Sequence, residues 1–105
     1  MATQSVFSAL ANPTRRALLD LLREGPHRAS ELAERFDMQR PSVAEHLRAL
    51  RESGLVEVEA RGRERIYHLA PQPLQDVSDW LQPYERFWRS SLRDLRAHLD
   101  AEDAP

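Results

Sequence analysis

The feature that most constrains this chain is a single change of apolar period, from 3.6 to 2, halfway along it. In MQRPSVAEHLRALRESGLV, residues 38–56, Val43, Leu47 and Leu50 fall at i, i+4 and i+7 and form one stripe of a helix. The other face carries Ser42, Glu45, Arg48 and Glu52. In the LVEVEARGRERIYHLA that follows, Val56, Val58, Ile66 and His68 alternate with Glu57, Glu59, Arg65 and Tyr67. Gly62 sits between Arg61 and Arg63, so the spacing predicts a two-stranded hairpin over about 55–60 and 64–69 with a basic tip.

Upstream, Val6, Phe7 and Leu10 fit a short helix over about residues 3–11. Asn12-Pro13 opens a second helix, with Asn as N-cap and Pro at the first helical position. It runs to about residue 24 with Leu18, Leu19, Leu21 and Leu22 inward, and Gly25-Pro26 ends it. In ASELAERF, Ser30 is the expected cap of a short helix that turns Leu32, Ala33 and Phe36 inward. Ala33 stands three residues on, so a full capping box is not expected there. Asp37, Met38 and Gln39 connect it to the helix of the stretch quoted above, which has Pro41 in its first turn and ends at Gly54. After Pro71 and Pro73, Leu74, Val77, Leu81, Tyr84, Trp88, Leu92, Leu95 and Leu99 follow three- and four-residue steps to about residue 100. Pro83 either kinks this helix or splits it. The closing DAEDAP reads as a frayed acidic tail.

With 105 residues, one domain over 1–105 is expected, small enough to gain from a partner chain. The absence of cysteine excludes disulfides, thiolate metal sites and thiol redox sensing. No apolar run has the length of a membrane span, and MATQSVFSALA lacks the basic start of a secretory signal, so a cytoplasmic protein is expected. All fifteen basic residues are arginine, against seventeen acids. Residues 1–25 carry a net +1, residues 26–69 are neutral and residues 70–105 carry −3. The acidic excess therefore lies away from the helix of residues 38–56. The neutral middle predicts modest, salt-sensitive affinity for any polyanion. There is no nucleophile–base pair, no glycine-rich phosphate loop and no carboxylate pair set for acid–base work, so the chain does not read as an enzyme.

A short helix, a tight turn and a second helix make a helix-turn-helix, here over about residues 29–53, and a charged hairpin over about 55–69 makes it winged. The expected fold is mostly α: four helices, a two-stranded wing and a long C-terminal helix. FSALANPTRRALLDLLREGP, ASELAERF, PSVAEHLRALRESGLV and RGRERIYHL resemble the ArsR/SmtB family of small bacterial repressors. DWLQPYERFWRSSLRDLRAHL resembles the C-terminal helix of the branch that lacks the usual metal ligands. The resemblance implies a homodimer that binds operator DNA and represses its own or neighbouring genes. Dimerisation is expected through helices at about 3–11 and 72–100.

The second helix of such a motif places its N-terminal residues at base edges in the major groove. Here those are Gln39, Arg40, Ser42, Glu45 and Arg48, with Arg61, Arg63 and Arg65 of the wing as contacts to phosphate or the minor groove. An arginine suits guanine O6 and N7, a glutamine suits adenine, and a glutamate accepts from cytosine N4. The commoner fate of one surface arginine is plain solvation, and it weighs most against Arg48, Arg61 and Arg65. The sequence departs from the family pattern at Ala44 and Glu45, where serine and a basic residue are frequent. A carboxylate there needs a base donor or a neighbouring arginine, and Arg48 at i+3 is better placed than Arg40. His27, His46 and His68 read as packed or hydrogen-bonded residues.

Phe7, Leu10, Trp80, Leu81, Tyr84, Phe87 and Trp88 are the expected dimer interface, because four large rings on one segment exceed what a small core covers. No cofactor is expected, and the effector is unknown. A rival reading is a metal-responsive repressor using Asp94, His98 and Glu102, which recur at i, i+4 and i+8, although a solvated acidic helix end explains the same residues. Another is a winged-helix module that binds only protein; it would have no use for arginines at both the helix start and the wing tip.

Overall fold

In the computed structural model, which describes residues 2–103, the helix opening at Asn12 is capped as its sequence requires. The Asn12 side-chain oxygen accepts from the N–H groups of Thr14 (2.9 Å) and Arg15 (3.1 Å). The elements in chain order are α1 (Ala2–Leu10), α2 (Pro13–Glu24), β1 (His27–Arg28), α3 (Ala29–Arg35), α4 (Arg40–Glu52), β2 (Val56–Arg61), β3 (Glu64–Leu69) and α5 (Leu74–Asp103). This is a winged helix-turn-helix. Between α3 and α4, Asp37 takes φ 49°, a left-handed conformation that Asp tolerates better than most side chains. Gly54, φ 80°, ends α4, and a Cβ there would stand 3.3 Å from Pro73 Cγ.

The core is built where α2, α3 and α4 meet under the wing. Leu18, Leu32, Leu47, Leu50 and Leu55 are fully buried, with Val6 of α1 and Val43 of α4 beside them. Burying one such side chain contributes about 1.5–3 kcal/mol, so the three apolar positions read on α4 anchor it firmly. Ser53 is the buried polar residue of this region, and its hydroxyl donates to the Leu50 carbonyl at 2.8 Å.

Four details differ from the sequence reading. The sheet has three strands in the order β1-β3-β2, because His27 and Arg28 pair with Tyr67 and Ile66. The two-residue β1 is too short to show a period. The phase of β3 is also reversed. Val56 pairs with Leu69 and Val58 with Tyr67, so Tyr67 is buried on the core face. Ile66 and His68 instead share the other face with Glu57 and Glu59. Thirdly, α3 begins at Ala29, and Ser30 lies inside it. The Glu31 carboxylate accepts from the Arg28 backbone N–H at 3.1 Å, so the helix start is tied by its acid and not by a Ser30 cap.

The fourth difference is the C-terminal end. α5 is one helix through Pro83, which resolves the choice between kink and split in favour of a continuous element. Pro83 and Asp79, four residues before it, are exposed, so the helix bond that proline cannot make is lost on a face open to solvent. Asp100 to Asp103 continue the helix where a frayed tail was expected, and Ala104 and Pro105 lie outside the described residues. Leu74 and Val77 pack on the core, but every residue of 86–102 is exposed. The radius of gyration, 18.8 Å, is well above the roughly 13 Å of a compact chain of this length, because α5 projects from the body. Among the described residues no helix is long and apolar enough to cross a membrane.

Candidate nucleic-acid interface

The start of α4 and the wing form the two walls of an open cleft of about 380 Å³. Its floor is apolar, with Val43, Ala44 and Leu47 of α4, Ala29 of α3 and Tyr67 of β3. Its rim carries four arginines and one acid: Arg40, in the first turn of α4, Arg63, Glu64 and Arg65 of the wing, and Arg28 of β1. Gly62, φ 63°, makes the tight turn that carries Arg63 forward. No ion pair holds Arg40, Arg63 or Arg65 among the described residues, so three cations converge without an internal partner.

The other expected contacts are distributed around this cleft. Gln39 is the N-cap of α4, but its side chain makes no cap bond, which leaves it exposed beside Arg40 in an adjoining hollow. Ser42 and Glu45 are exposed on α4 and do not line the cleft. Arg48 is paired with Glu52 (3.2 Å, i,i+4), not with Glu45, so the expected Glu45–Arg48 pair is replaced. Residues three and four apart are both neighbours on a helix, and here the Arg48 side chain is turned toward Glu52. Glu45 makes no ion pair among the described residues. Arg61 sits on the far side of the sheet, where its Nε–H donates to Glu59 at 3.2 Å. The His68 Nε2–H also donates to Glu59 (3.0 Å), and these two partners, His68 foremost, lower the Glu59 pKa.

The remaining histidines are bonded as well. The Arg15 Nε–H donates to His46 Nδ1 at 3.3 Å and links α2 to α4, while the His27 Nδ1–H donates to the Gly25 carbonyl at 2.7 Å. His98 pairs with Glu102 at 3.1 Å, and Asp94 does not join them. Among the described residues no three His, Cys, Asp or Glu side chains gather as a metal site.

Sequence reasoning missed Arg28, Ser30 and Glu64, which line the cleft from β1, α3 and β3. The one available signal was Glu31, an acid three residues after Arg28. Of the aromatic set, Trp80 meets Phe7 edge-on (5.9 Å between centroids) and leans on Tyr84 (5.2 Å). Leu10 and Leu81 are half-buried. Trp80, Tyr84, Phe87 and Trp88 stay exposed, and Leu92, Leu95 and Leu99 extend the same exposed apolar surface along α5.

Comparison with known proteins agrees with this geometry. Residues 12–58 match the bacterial regulatory protein arsR family. The chain is 36% identical over 77 residues to the transcriptional repressor SdpR of Bacillus subtilis (strain 168), covering 73% of this chain and 86% of that protein. The crystal structure of an ArsR family transcriptional regulator superposes with a TM-score of 0.75 at 38% identity, covering 85% of this chain and 98% of the other. The solution structure of a homodimeric winged helix-turn-helix DNA-binding domain from Mycobacterium bovis gives 0.66 at 28% identity, covering 81% and 79%.

Proposed function

Since the chain belongs to the arsR family of bacterial regulatory proteins, we propose that it acts as a homodimeric repressor that binds an inverted-repeat operator without metal. Members of this family are DNA-binding transcriptional regulators, not enzymes, and this chain is one of them. The observation that carries the finer reading is the convergence of Arg40, Arg63 and Arg65 on one cleft between the start of α4 and the wing. In this reading α4 enters the major groove. Arg40 and Gln39 meet base edges, Ser42 and Glu45 follow along the groove, and Arg48 approaches the backbone. Arg63 and Arg65 reach phosphates or the adjacent minor groove, with Arg61 behind them.

The exposed aromatic and leucine surface of α5 supports the dimer. Seven large apolar side chains are left open on one helix, and a second copy would cover them. Two-fold symmetry then sets two α4 helices about 34 Å apart, one turn of duplex. Phe7, Leu10 and Leu81 complete the interface beside Trp80, Tyr84, Phe87 and Trp88. Trp88→Ala is expected to shift the dimer toward monomer by about tenfold or more in dissociation constant, as for other buried interface tryptophans. Sedimentation equilibrium checks it, and an unchanged profile removes Trp88 from the interface.

The experiment for the whole reading is selection of bound fragments from genomic DNA at physiological salt, with and without chelator. One inverted repeat, recovered equally in both, is the expected result, and its position relative to the protein's own gene tests self-repression. Enrichment that depends on metal would replace this reading with metal-responsive repression. No enrichment would replace it with a protein-binding role.

A further inference from the structure

Glu64 is the acid most dangerous to the wing. It lies between Arg63 and Arg65 in the chain and opposite Arg61 in the hairpin register. Arg61 stands opposite it on the same face and Arg63 precedes it at the turn, so a pair with either would remove a cation from DNA, while Arg65 alternates to the Tyr67 face. Among the described residues it pairs with neither. Its carboxylate accepts from Arg28 Nη1 at 2.9 Å, from a residue 36 positions earlier.

The fold makes this possible through β1. Arg28 pairs in register with Ile66, which puts Glu64 diagonally across the strands on the same face. Arg28 also opens α3, where Glu31 Oε1 accepts from its Nε–H at 3.0 Å and from its backbone N–H at 3.1 Å. The guanidinium therefore spans two acids from two elements, which a forked cation does and an ammonium does poorly. The pairing raises the Arg28 pKa, with Glu31 and then Glu64 as causes, and the Arg28 fork lowers that of Glu31.

We propose that Arg28 is a positioning residue that holds Glu64 away from Arg61 and Arg63 and so keeps the cations of the wing tip free to bind DNA. This rests on the reading of the cleft as a DNA interface. Arg28 acts through Glu64, not through a phosphate contact of its own. Without Arg28, Glu64 turns to a wing arginine, and one cation is lost to the duplex. Without Glu64 there is nothing to hold, and Arg28 becomes dispensable.

The test is a double-mutant cycle of Arg28→Ala and Glu64→Ala. It is read as binding to a labelled random-sequence duplex of about 30 base pairs, where phosphate contacts dominate affinity. Arg28→Ala is expected to weaken binding about fivefold and to reduce the salt slope by about 0.9, one phosphate contact. In the Glu64→Ala background the same change is expected to cost less than about twofold and to leave the slope unaltered. Both ion pairs are open to solvent, so each adds little to stability and the variants are expected to fold, which thermal melting checks. An equal loss in both backgrounds would make Arg28 a direct contact and overturn the inference alone. No loss in either background would overturn it as well. A parent protein that binds no duplex would overturn the DNA-interface reading itself, and the inference with it.

Discussion

Arg40→Ala combined with Arg63→Ala is expected to leave a folded protein that no longer binds its operator at physiological salt. The two residues stand on opposite walls of one cleft, one at the start of α4 and one at the wing tip, so the double change removes a contact from each arm of the grip. An arginine on a guanine edge is worth about 1–3 kcal/mol, and losing it also relaxes specificity at that position. A phosphate contact adds its own increment and about 0.9 to the salt slope. Together the loss should exceed roughly thirtyfold in affinity, at about 1.4 kcal/mol per tenfold. Among the described residues neither is ion-paired, and both are exposed, so the melting temperature should hold. Fluorescence anisotropy on the selected operator measures the affinity. Retained binding with an unchanged salt slope would show that the cleft is not the interface.

Leu50→Ala is expected to give the largest loss of stability. Leu50 has no exposed surface, and it closes the apolar stripe of α4. Its carbonyl also accepts from the Ser53 hydroxyl and from the Leu55 N–H (3.0 Å), at the point where the helix hands over to the wing. Truncating a buried leucine costs about 2–5 kcal/mol, the lost transfer energy plus the cavity. For a chain of this size each kcal/mol lowers the melting temperature by about 4–8 °C, so a fall of roughly 10 °C or more is expected. Calorimetry at fixed protein concentration checks it, since the proposed dimer would add to apparent stability. A shift of only a degree or two would mean that the α4 stripe is not the centre of the core.

How much of this was legible before folding depended on whether the signal was local. Asn12-Pro13 opens α2 and Gly25 closes it within the chain itself, and Gly54 and Gly62 mark the end of α4 and the turn of the wing because the chain needs left-handed residues there. The apolar stripe of α4 is a property of thirteen consecutive residues. Arg40 and Arg63 were legible for the same reason, as charges at the start of one element and the tip of another. Where two local patterns compete, the reading fails. In RIYHLA, apolar residues occupy both faces, and only pairing with Val56 and Val58 chooses Tyr67 and Leu69 for the core. Glu45 and Glu52 both stand within a turn of Arg48, and side-chain geometry, not spacing alone, gave the pair to Glu52.

The sequence by itself determined the order of the helices and the hairpin, the boundaries of α2 and α4, and the basic tip, since each rests on residues a few positions apart. Tertiary structure alone decided the third strand, the facing of Arg40 toward Arg63 and Arg65, and the Arg28–Glu64 pair. Those depend on contacts between residues tens of positions apart, which exist only once the core of α2, α3 and α4 has set the wing beside the helix-turn-helix.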